Sequence, residues 1–308
     1  MANNNWQSRD IPDLNGKVII VTGGNSGLGY ESVKSFAQKG ASVVMASRSR
    51  EKAEKAKAEI IKLAPHSDID ILSLDLMDLA SVASFANAFS QKYDRLDVLL
   101  NNAGIMMTPF QHTKDGFESQ LGTNHLGHFA LTGRLFPHLQ STPASRVVNV
   151  SSLAHRRGDM DFDNLQYENG RDYSPIKSYG RSKLANLLFT YEMHRRLEAA
   201  GLNILSVAAH PGGSQTNLAN HLEGKWWFKL LWPIVTFMMQ TAEQGAMPQV
   251  RASVGTTVKG GEYYGPDGRG EMTGKAVLVQ STPLSHDPEA GRRLWDISEQ
   301  LTGVQFLS

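Results

Sequence analysis

The sequence has no cysteine among its 308 residues, which excludes disulfide frameworks, thiolate metal sites and thiol catalysis. It also has no excess charge of either sign, because 31 lysines and arginines face 30 aspartates and glutamates, so we expect no nucleic-acid partner. The ten histidines show no metal-ligand spacing, and no metal site is expected. Long apolar runs are missing too. Residues 226–239 form the longest, and Lys229 and Pro233 interrupt it, so no transmembrane segment is predicted.

The composition is that of an ordinary globular protein, with 41% hydrophobic and 20% charged residues. The N-terminal segment lacks the apolar core of a signal peptide, so we expect a cytoplasmic protein. Apolar, β-rich runs alternate with longer amphipathic stretches, which predicts a single α/β domain at residues 14–308. Its expected fold is a Rossmann-type, doubly wound parallel sheet of about seven strands with helices on both faces. Residues 1–13 are predicted to form a polar N-terminal arm.

Glycines, prolines and polar residues mark the boundaries of the predicted elements. The predicted strands lie at residues 17–22, 41–47, 70–74, 97–101, 146–150, 203–207 and 262–264. The predicted helices lie at residues 30–39, 50–63, 79–93, 117–139 and 179–200. In folds of this kind, a crevice lies beyond the carboxyl ends of the strands, and functional residues are expected there.

A glycine-rich loop connects the first predicted strand to the first helix. Its glycines allow a tight turn in which backbone N–H groups approach a pyrophosphate, and the helix N-terminus adds partial positive charge. The spacing is G-x-x-x-G-x-G instead of the common G-x-G-x-x-G, and the alternative interpretation is a turn that only reverses the chain. The loop residues that we assign to cofactor binding are Gly23, Asn25, Ser26, Gly27, Leu28 and Gly29.

The end of the second strand indicates which dinucleotide is bound. Folds that prefer NAD place an acidic residue about 20 residues beyond the glycines, but residues 46–50 contain none. Arg48 can pair with a 2′-phosphate, and Ser47 can donate a hydrogen bond. The sequence therefore favours NADP(H), with NAD(H) as the alternative cofactor and a solvated Arg48 as the alternative interpretation.

Tyr179 and Lys183 are four residues apart on a predicted helix and so share one face. A neighbouring ammonium is expected to lower the tyrosine pKa and make proton transfer feasible at neutral pH. In most helices such a pair lies on the surface without a function. The interpretation therefore depends on the residues that accompany it.

Further motifs stand near the ends of the predicted strands, at residues 101–104, 151–152 and 210–212, and Asn124 lies inside a long helix. With the glycine loop and the Tyr-x-x-x-Lys pair, this set resembles the short-chain dehydrogenase/reductase family from Asn15 onward. The stretches VVNVSSLAH and SYGRSKLANLLF are similar to its retinol-dehydrogenase-like branch. The resemblance implies an NAD(P)-dependent enzyme that interconverts a carbonyl compound and an alcohol by hydride transfer.

The resemblance also implies a role for each site residue. Tyr179 would be the general acid or base, Lys183 would lower its pKa and hold the cofactor ribose, and Ser152 would bind the substrate oxygen. Asn124 would fix a water in a proton relay to Lys183. The cofactor would contact Asp75, Leu76, Asn102, Ala103, Gly104, Tyr179, Lys183, Pro211, Gly212, Ser214 and Thr216.

Two segments depart from a minimal domain of this family. Residues 155–175 lengthen the connection between Ser152 and Tyr179, and we expect a surface lobe near the entrance of the site. Residues 217–240 are rich in tryptophan, phenylalanine and methionine, which predicts a lid over a lipophilic carbonyl or alcohol substrate. An interfacial membrane contact or a subunit interface of a homo-oligomer would also explain this composition.

Two other functions remain as alternatives. A nucleotide-sugar epimerase also uses a Tyr-x-x-x-Lys pair, but its glycine loop differs in spacing and its substrate domain is larger. A non-catalytic NADP sensor or scaffold could use the same fold, although all four residues of the proposed catalytic set are present.

Overall fold

The computed structural model describes residues 6–213 and 240–307, which contain one eight-stranded sheet. Its strands are β1 (Val18–Thr22), β2 (Ser42–Ser47), β3 (Asp68–Ser73), β4 (Val98–Asn101), β5 (Arg146–Val150), β6 (Leu205–Ala209), β7 (Tyr263–Pro266) and β8 (Ala276–Leu278). They are ordered β3-β2-β1-β4-β5-β6-β7-β8, and neighbours are parallel except β7 and β8. The order changes direction between β1 and β4, as in a doubly wound fold. The predicted fold is confirmed, with one strand more than expected.

Helices cover both faces of the sheet. They are α1 (Gly27–Ala37), α2 (Arg50–Leu63), α3 (Leu79–Ser90), α4 (Gly127–Ser141), α5 (Pro175–Ala199), α6 (Ala242–Val254) and α7 (Pro288–Thr302). Helices α1, α2 and α6 contribute to one apolar core, and α3, α4, α5 and α7 contribute to the core on the opposite face. Within the described residues, no helix has both the length and the apolar character needed to span a membrane.

Strand β1 shows why a buried strand has an unbroken run of apolar residues in the sequence. Ile19 and Val21 belong to the core beneath α1, α2 and α6, while Val18 and Ile20 belong to the core on the other face. All five residues of the strand are buried. A parallel strand covered by helices on both sides therefore requires apolar residues at consecutive positions.

The long helix expected at residues 117–139 is not continuous. One helical turn at Ser119–Leu121 leads into a π-helical turn at Gly122–Leu126, and regular α-helix begins at Gly127. Gly127 packs so closely on the backbone of Leu76 that an added Cβ would lie 2.6 Å from its carbonyl oxygen. The π-turn matters for function because it carries Asn124.

The described part of the N-terminal segment packs on the domain. Trp6 and Ile11 are buried in the core beneath α1, and the Asp10 carboxylate accepts a hydrogen bond from the backbone N–H of Gln7. The expected polar arm is therefore wrong for residues 6–13, because two apolar side chains anchor this segment.

Residues 155–175 form short 3₁₀ turns that pack against α5. Arg181 of α5 holds them, because its guanidinium pairs with Asp159 at 2.7 Å and donates to the carbonyl oxygens of Asn164 and Leu165. Part of this lobe lines a hollow of about 370 Å³ that is separate from the main cleft.

Nearly all of the predicted lid at residues 217–240, together with Ser214 and Thr216, lies outside the described residues.

Candidate active site

A cleft of about 990 Å³ opens along the carboxyl edge of the sheet, where the strand order changes direction. The loops after β1, β2, β4, β5 and β6 all contribute to its walls. It brings together these residues predicted from the sequence: Gly23, Asn25, Ser26, Gly27, Leu28, Gly29, Ser47, Arg48, Asp75, Leu76, Asn102, Ala103, Gly104, Ser152, Tyr179, Lys183, Pro211 and Gly212. Residues from seven separate stretches of sequence thus meet in one place.

The glycine loop has the geometry that a phosphate-binding turn needs. Gly23 and Gly27 have φ angles of 66° and 54°, in the left-handed region that favours glycine. Gly29 packs against the carbonyl of Gly23, so any side chain there would collide with the backbone of the turn. In this described stretch, the Ser26 hydroxyl caps none of the first-turn N–H groups of α1, which therefore can bind an anionic group.

Hydrogen bonds between β1 and β4 fix the floor of the cleft. The Thr22 hydroxyl accepts hydrogen bonds from the backbone N–H groups of Asn102 and Ala103, each at 2.9 Å. The Asn102 side-chain amide donates to the Thr22 carbonyl at 2.8 Å and accepts from Gln249 at 3.0 Å. Asn102 therefore lines the cleft as predicted, but its side chain mainly joins neighbouring strands and α6.

The end of β2 forms a basic wall of the cleft. The Ser47 hydroxyl is buried and donates to the Asn25 side chain at 3.0 Å, while Arg48 is exposed at the rim. Lys52 and Lys55 of α2 line the same wall, and Glu59 follows them. The sequence interpretation missed both lysines. They lie four and seven residues beyond Arg48, on the first two turns of the following helix, and this spacing could have identified them.

The other residues that the prediction missed line the cleft beside the known motifs. They include Tyr30, Ile105, Met106, Thr123, Val150 and Gly213. Ile105 and Met106 follow the 101–104 motif and give the wall apolar surface. Neither residue belongs to a recognisable motif, so only their position next to residue 104 could have identified them as part of the site.

Helix α5 presents Tyr179 and Lys183 to the cleft from successive turns. Both are buried, with 6% and 3% of their surfaces exposed, which excludes the surface-pair interpretation. Lys183 Nζ lies 5.8 Å from the centre of the Tyr179 ring and donates to the carbonyl oxygen of Val150 at 2.9 Å. Because Val150 ends β5, this hydrogen bond ties the ammonium to the sheet edge.

Burial shifts the pKa values of this pair in opposite directions. It raises the pKa of Tyr179 to about 12, although a hydrogen bond with Ser152 acts to lower it. Burial also lowers the pKa of Lys183 to about 8. The expected lowering of the tyrosine pKa is therefore wrong for this structure, because loss of hydration disfavours the phenolate more than nearby groups favour it. At neutral pH both side chains carry their protons.

The two serines after β5 have different surroundings. The Ser151 hydroxyl is buried and donates to the carbonyl oxygen of Lys183 at 2.8 Å. The Ser152 hydroxyl accepts from the backbone N–H of Ala154 at 3.2 Å and lines the cleft beside Tyr179. Both serines line the cleft, and the role of Ser152 in binding the substrate oxygen stays a prediction.

Asn124 lies directly behind the cleft wall and is completely buried. Its side-chain oxygen accepts from the Ile105 N–H at 2.8 Å, and its amide donates to the Ile105 carbonyl at 3.0 Å and to Ser182 at 2.8 Å. A Cβ at Gly104 would lie 3.0 Å from the Asn124 oxygen and 3.5 Å from Lys183 Nζ. A glycine at position 104 therefore lets Asn124 and Lys183 approach the same point.

Within residues 6–213 and 240–307, no three side chains of the metal-binding types form a group that could hold a metal ion. The donors that surround the cleft are instead backbone N–H groups, hydroxyls and cationic side chains. This set of donors suits a phosphorylated dinucleotide, because each kind can bind phosphate or ribose oxygen.

Comparison with known proteins gives the same picture. The profile of the short chain dehydrogenase family matches residues 17–225. Human retinol dehydrogenase 11 is 39% identical over 293 residues, which cover 94% of this chain and 87% of that protein. Human retinol dehydrogenase 14 is 38% identical over 307 residues, which cover 94% and 88%.

Solved structures show the same fold over most of the chain. The crystal structure of an uncharacterized protein from Mycobacterium paratuberculosis matches with a TM-score of 0.82 and 39% identity, and the match covers 98% of this chain and 99% of that one. A short chain dehydrogenase from Shigella flexneri 2a, solved in complex with NADP, matches with a TM-score of 0.63 and 22% identity, covering 82% and 97%. At that identity the second match supports the fold alone.

Proposed function

The chain belongs to the short-chain dehydrogenase family of NAD(P)-dependent alcohol and carbonyl oxidoreductases, and on that premise we propose that it interconverts a lipophilic carbonyl compound and its alcohol with NADP(H). The observation that carries the proposal is the meeting of Ser152, Tyr179 and Lys183 at one end of the cleft, while the glycine loop lines the same cleft. A hydroxyl, a phenol and an ammonium can there act together on one substrate oxygen.

When bound, NADPH supplies the hydride for the carbonyl carbon. The Tyr179 phenol donates a proton to the substrate oxygen, and it holds that proton at neutral pH because burial raises its pKa to about 12. The Ser152 hydroxyl donates a second hydrogen bond to the same oxygen. In alcohol oxidation the direction reverses, and Tyr179 accepts the alcohol proton in its phenolate form, which the Lys183 ammonium would stabilise.

Lys183 supplies the positive charge that proton transfer requires. Its ammonium is buried next to Tyr179, so little water screens the field that it exerts on the phenol oxygen. Negative charge that develops on that oxygen as the proton leaves is stabilised there. Asn124 keeps the backbone of Ile105 and the Ser182 hydroxyl in place beside this lysine.

A preference for NADPH over NADH is supported by the basic wall at the end of β2. Arg48, Lys52 and Lys55 line the cleft where the adenosine end of the cofactor would lie, with Glu59 as their acidic neighbour. Guanidinium and ammonium groups bind a 2′-phosphate, whereas a 2′-hydroxyl gains little from them.

A lipophilic substrate is supported by the apolar side chains of the catalytic end and by the similar proteins. Ile105 and Met106 line the cleft there, and residues 226–239 add aromatic and methionine side chains in the sequence. Two of the similar proteins are named retinol dehydrogenases, and retinol is a lipophilic alcohol.

The test is substitution of the proposed acid. Tyr179→Phe removes one hydroxyl, and we expect turnover to fall by at least about a hundredfold because general acid catalysis is lost. The dissociation constant of NADPH should stay within about twofold of the parent, because phosphate and ribose contacts supply cofactor affinity. Oxidation of NADPH is followed by absorbance against a panel of aldehydes and ketones.

Tyr93→Phe is the matched control, since Tyr93 bonds to Asp70 far from the cleft and its loss should leave turnover unchanged. More than a tenth of parental activity in Tyr179→Phe would refute the role of Tyr179. A parent that binds NADPH but turns over no compound of the panel would favour the sensor function instead.

A further inference from the structure

Three side chains beside the cleft form an ion-pair cluster that the proposed chemistry does not use. Arg156 Nη2 lies 2.7 Å from Glu271 Oε1, and His210 Nε2 lies 3.0 Å from Glu271 Oε2. The His210 side chain is fully buried, and Glu271 is about three-quarters buried. We call Arg156, Glu271 and His210 the clamp.

The hydrogen bonds of His210 determine where its ring carries the proton. The backbone N–H of Gly212 donates to Nδ1 at 3.2 Å, so Nδ1 is an acceptor. The proton is therefore on Nε2, which donates to the Glu271 carboxylate. Burial lowers the pKa of His210, and the contacts with His210 and Arg156 lower the pKa of Glu271, so the clamp joins a neutral ring, a carboxylate and a guanidinium.

The clamp joins three loops that are far apart in the sequence. Arg156 belongs to the 3₁₀ turn that begins after Ser152, and His210 directly follows β6. Glu271 belongs to a turn after β7. Because Ser152 and the 211–213 turn both line the cleft, Glu271 connects two parts of its wall.

Backbone contacts reinforce this connection. The N–H of Gly213 donates to the carbonyl of Met272 at 2.7 Å, and a Cβ at Gly212 would lie 2.8 Å from the carbonyl of Glu271. Glu271 itself has a φ of 58°, in the left-handed region that glutamate rarely adopts. Such a conformation persists only where the surrounding contacts enforce it, and here they are contacts with the cleft wall.

We propose that Arg156, Glu271 and His210 act as positioning residues that fix the separation between Ser152, which would bind the substrate oxygen, and the 211–213 turn, which would hold the nicotinamide end of the cofactor. This inference rests on the proposed function and deepens it. Hydride transfer requires the reacting atoms to be aligned, and a displacement of about 1 Å can cost about a hundredfold in rate. Loosening the clamp should slow the hydride step without disturbing the distant phosphate loop.

Glu271→Gln tests the proposal, because it keeps the size of the side chain and removes its charge. The substrate is the carbonyl compound that the parent reduces fastest in the panel. We expect kcat to fall about tenfold, while the dissociation constant of NADPH changes by less than about twofold. The primary deuterium isotope effect on kcat, measured with NADPH deuterated at the transferred position, should rise because hydride transfer becomes more rate-limiting.

The matched control is Glu289→Gln, which removes the exposed Arg292–Glu289 pair on α7 and should leave kcat and the isotope effect unchanged. The variants His210→Gln and His210→Asn distinguish the contributions of the two hydrogen bonds that the His210 ring makes. Glutamine can still donate towards Glu271, whereas asparagine keeps only an acceptor for the Gly212 N–H. We therefore expect His210→Gln to retain more activity than His210→Asn.

Parental kcat and isotope effect in Glu271→Gln would overturn the clamp. A lower melting temperature with unchanged kcat per NADPH-binding site would overturn it as well, since the cluster would then serve folding alone. Failure of the proposed function would give different results. Either the parent would reduce no carbonyl compound, or the Tyr179→Phe variant would remain active.

Discussion

Replacing Lys183 with methionine should stabilise the cofactor-free protein while it abolishes turnover. The Lys183 ammonium is almost completely buried, and its hydration is replaced by a hydrogen bond to the Val150 carbonyl. Methionine fills a similar volume without a charge. The Val150 carbonyl keeps a partner in the variant, because the Asn186 amide also donates to it at 3.0 Å. The substitution therefore removes a buried charge and leaves no orphaned acceptor.

The magnitude follows from the lysine pKa. Burial lowers it from 10.5 to about 8, and a drop of this size corresponds to roughly 3 kcal/mol of unfolding free energy. Below pH 8 both the folded and the unfolded lysine are charged, so the full penalty applies. Between pH 8 and 10.5 the unfolded state binds more protons, and the penalty shrinks as the pH rises. The gain from methionine should thus be complete at pH 6.5 and less than half as large at pH 9.5.

Thermal unfolding of the cofactor-free protein measures this gain. For a domain of this size, roughly 3 kcal/mol corresponds to an increase of about 5 °C in melting temperature. Lys177→Met is the matched control, because Lys177 is exposed on the same helix and its loss should leave the melting temperature unchanged at both pH values. A destabilised Lys183→Met variant, or a gain that does not depend on pH, would refute the reasoning.

Two further predictions concern the cofactor and the substrate. Arg48→Asp should lower kcat/KM with NADPH by about ten- to a hundredfold and should change kcat/KM with NADH little. Steady-state kinetics with both cofactors measures these values, and a parent that prefers NADH would contradict the assignment. In a series of methyl alkyl ketones, each added methylene should raise kcat/KM by up to about fourfold until the pocket is filled, and an unchanged kcat/KM along the series would exclude a lipophilic pocket.

The positions of strands and of the main motifs were predictable from the sequence because local patterns carry them. β5 was predicted with its observed bounds, Arg146–Val150, since a strand buried on both faces needs consecutive apolar residues. The glycine loop was recognisable because its conformation depends on residue type at Gly23 and Gly27. Tyr179 and Lys183 were paired correctly because helical spacing alone places them on one face.

Other features depend on contacts that no local pattern reveals. β8 has only the three residues Ala276–Leu278, and although all three are apolar, a run this short does not distinguish a strand in the sequence. The π-turn begins at Gly122, which packs on Thr113, and is followed by Gly127, which packs on Leu76, and neither contact is visible in a local pattern. The clamp joins Arg156 to Glu271 across 115 positions, and only the folded sheet brings them together.

The direction of the Tyr179 pKa shift could not be predicted from the sequence, for a related reason. Spacing shows that an ammonium is near, but it gives neither the depth of burial nor the partner of that ammonium. In the structure the Lys183 ammonium donates to Val150, and desolvation of the Tyr179 phenol raises its pKa more than the hydrogen bond with Ser152 lowers it. Helical spacing thus predicts neighbours, while the pKa depends on the environment that they share.

Burial also argues that Lys183 is present for chemistry and not for the fold. The central strands β1, β4 and β6 are mostly apolar, and polar groups gather at the carboxyl edge of the sheet, where Thr22 ends β1 and Ser151 follows β5. At that edge the Val150 carbonyl lets a buried ammonium keep one hydrogen bond, yet the ammonium still destabilises the folded state. A selection for stability alone would favour an apolar residue at position 183, next to a carbonyl that Asn186 already satisfies. A lysine at that position, despite its cost to stability, supports the proposed role that only its charge can fill, beside Tyr179 and Ser152, which line the same described cleft.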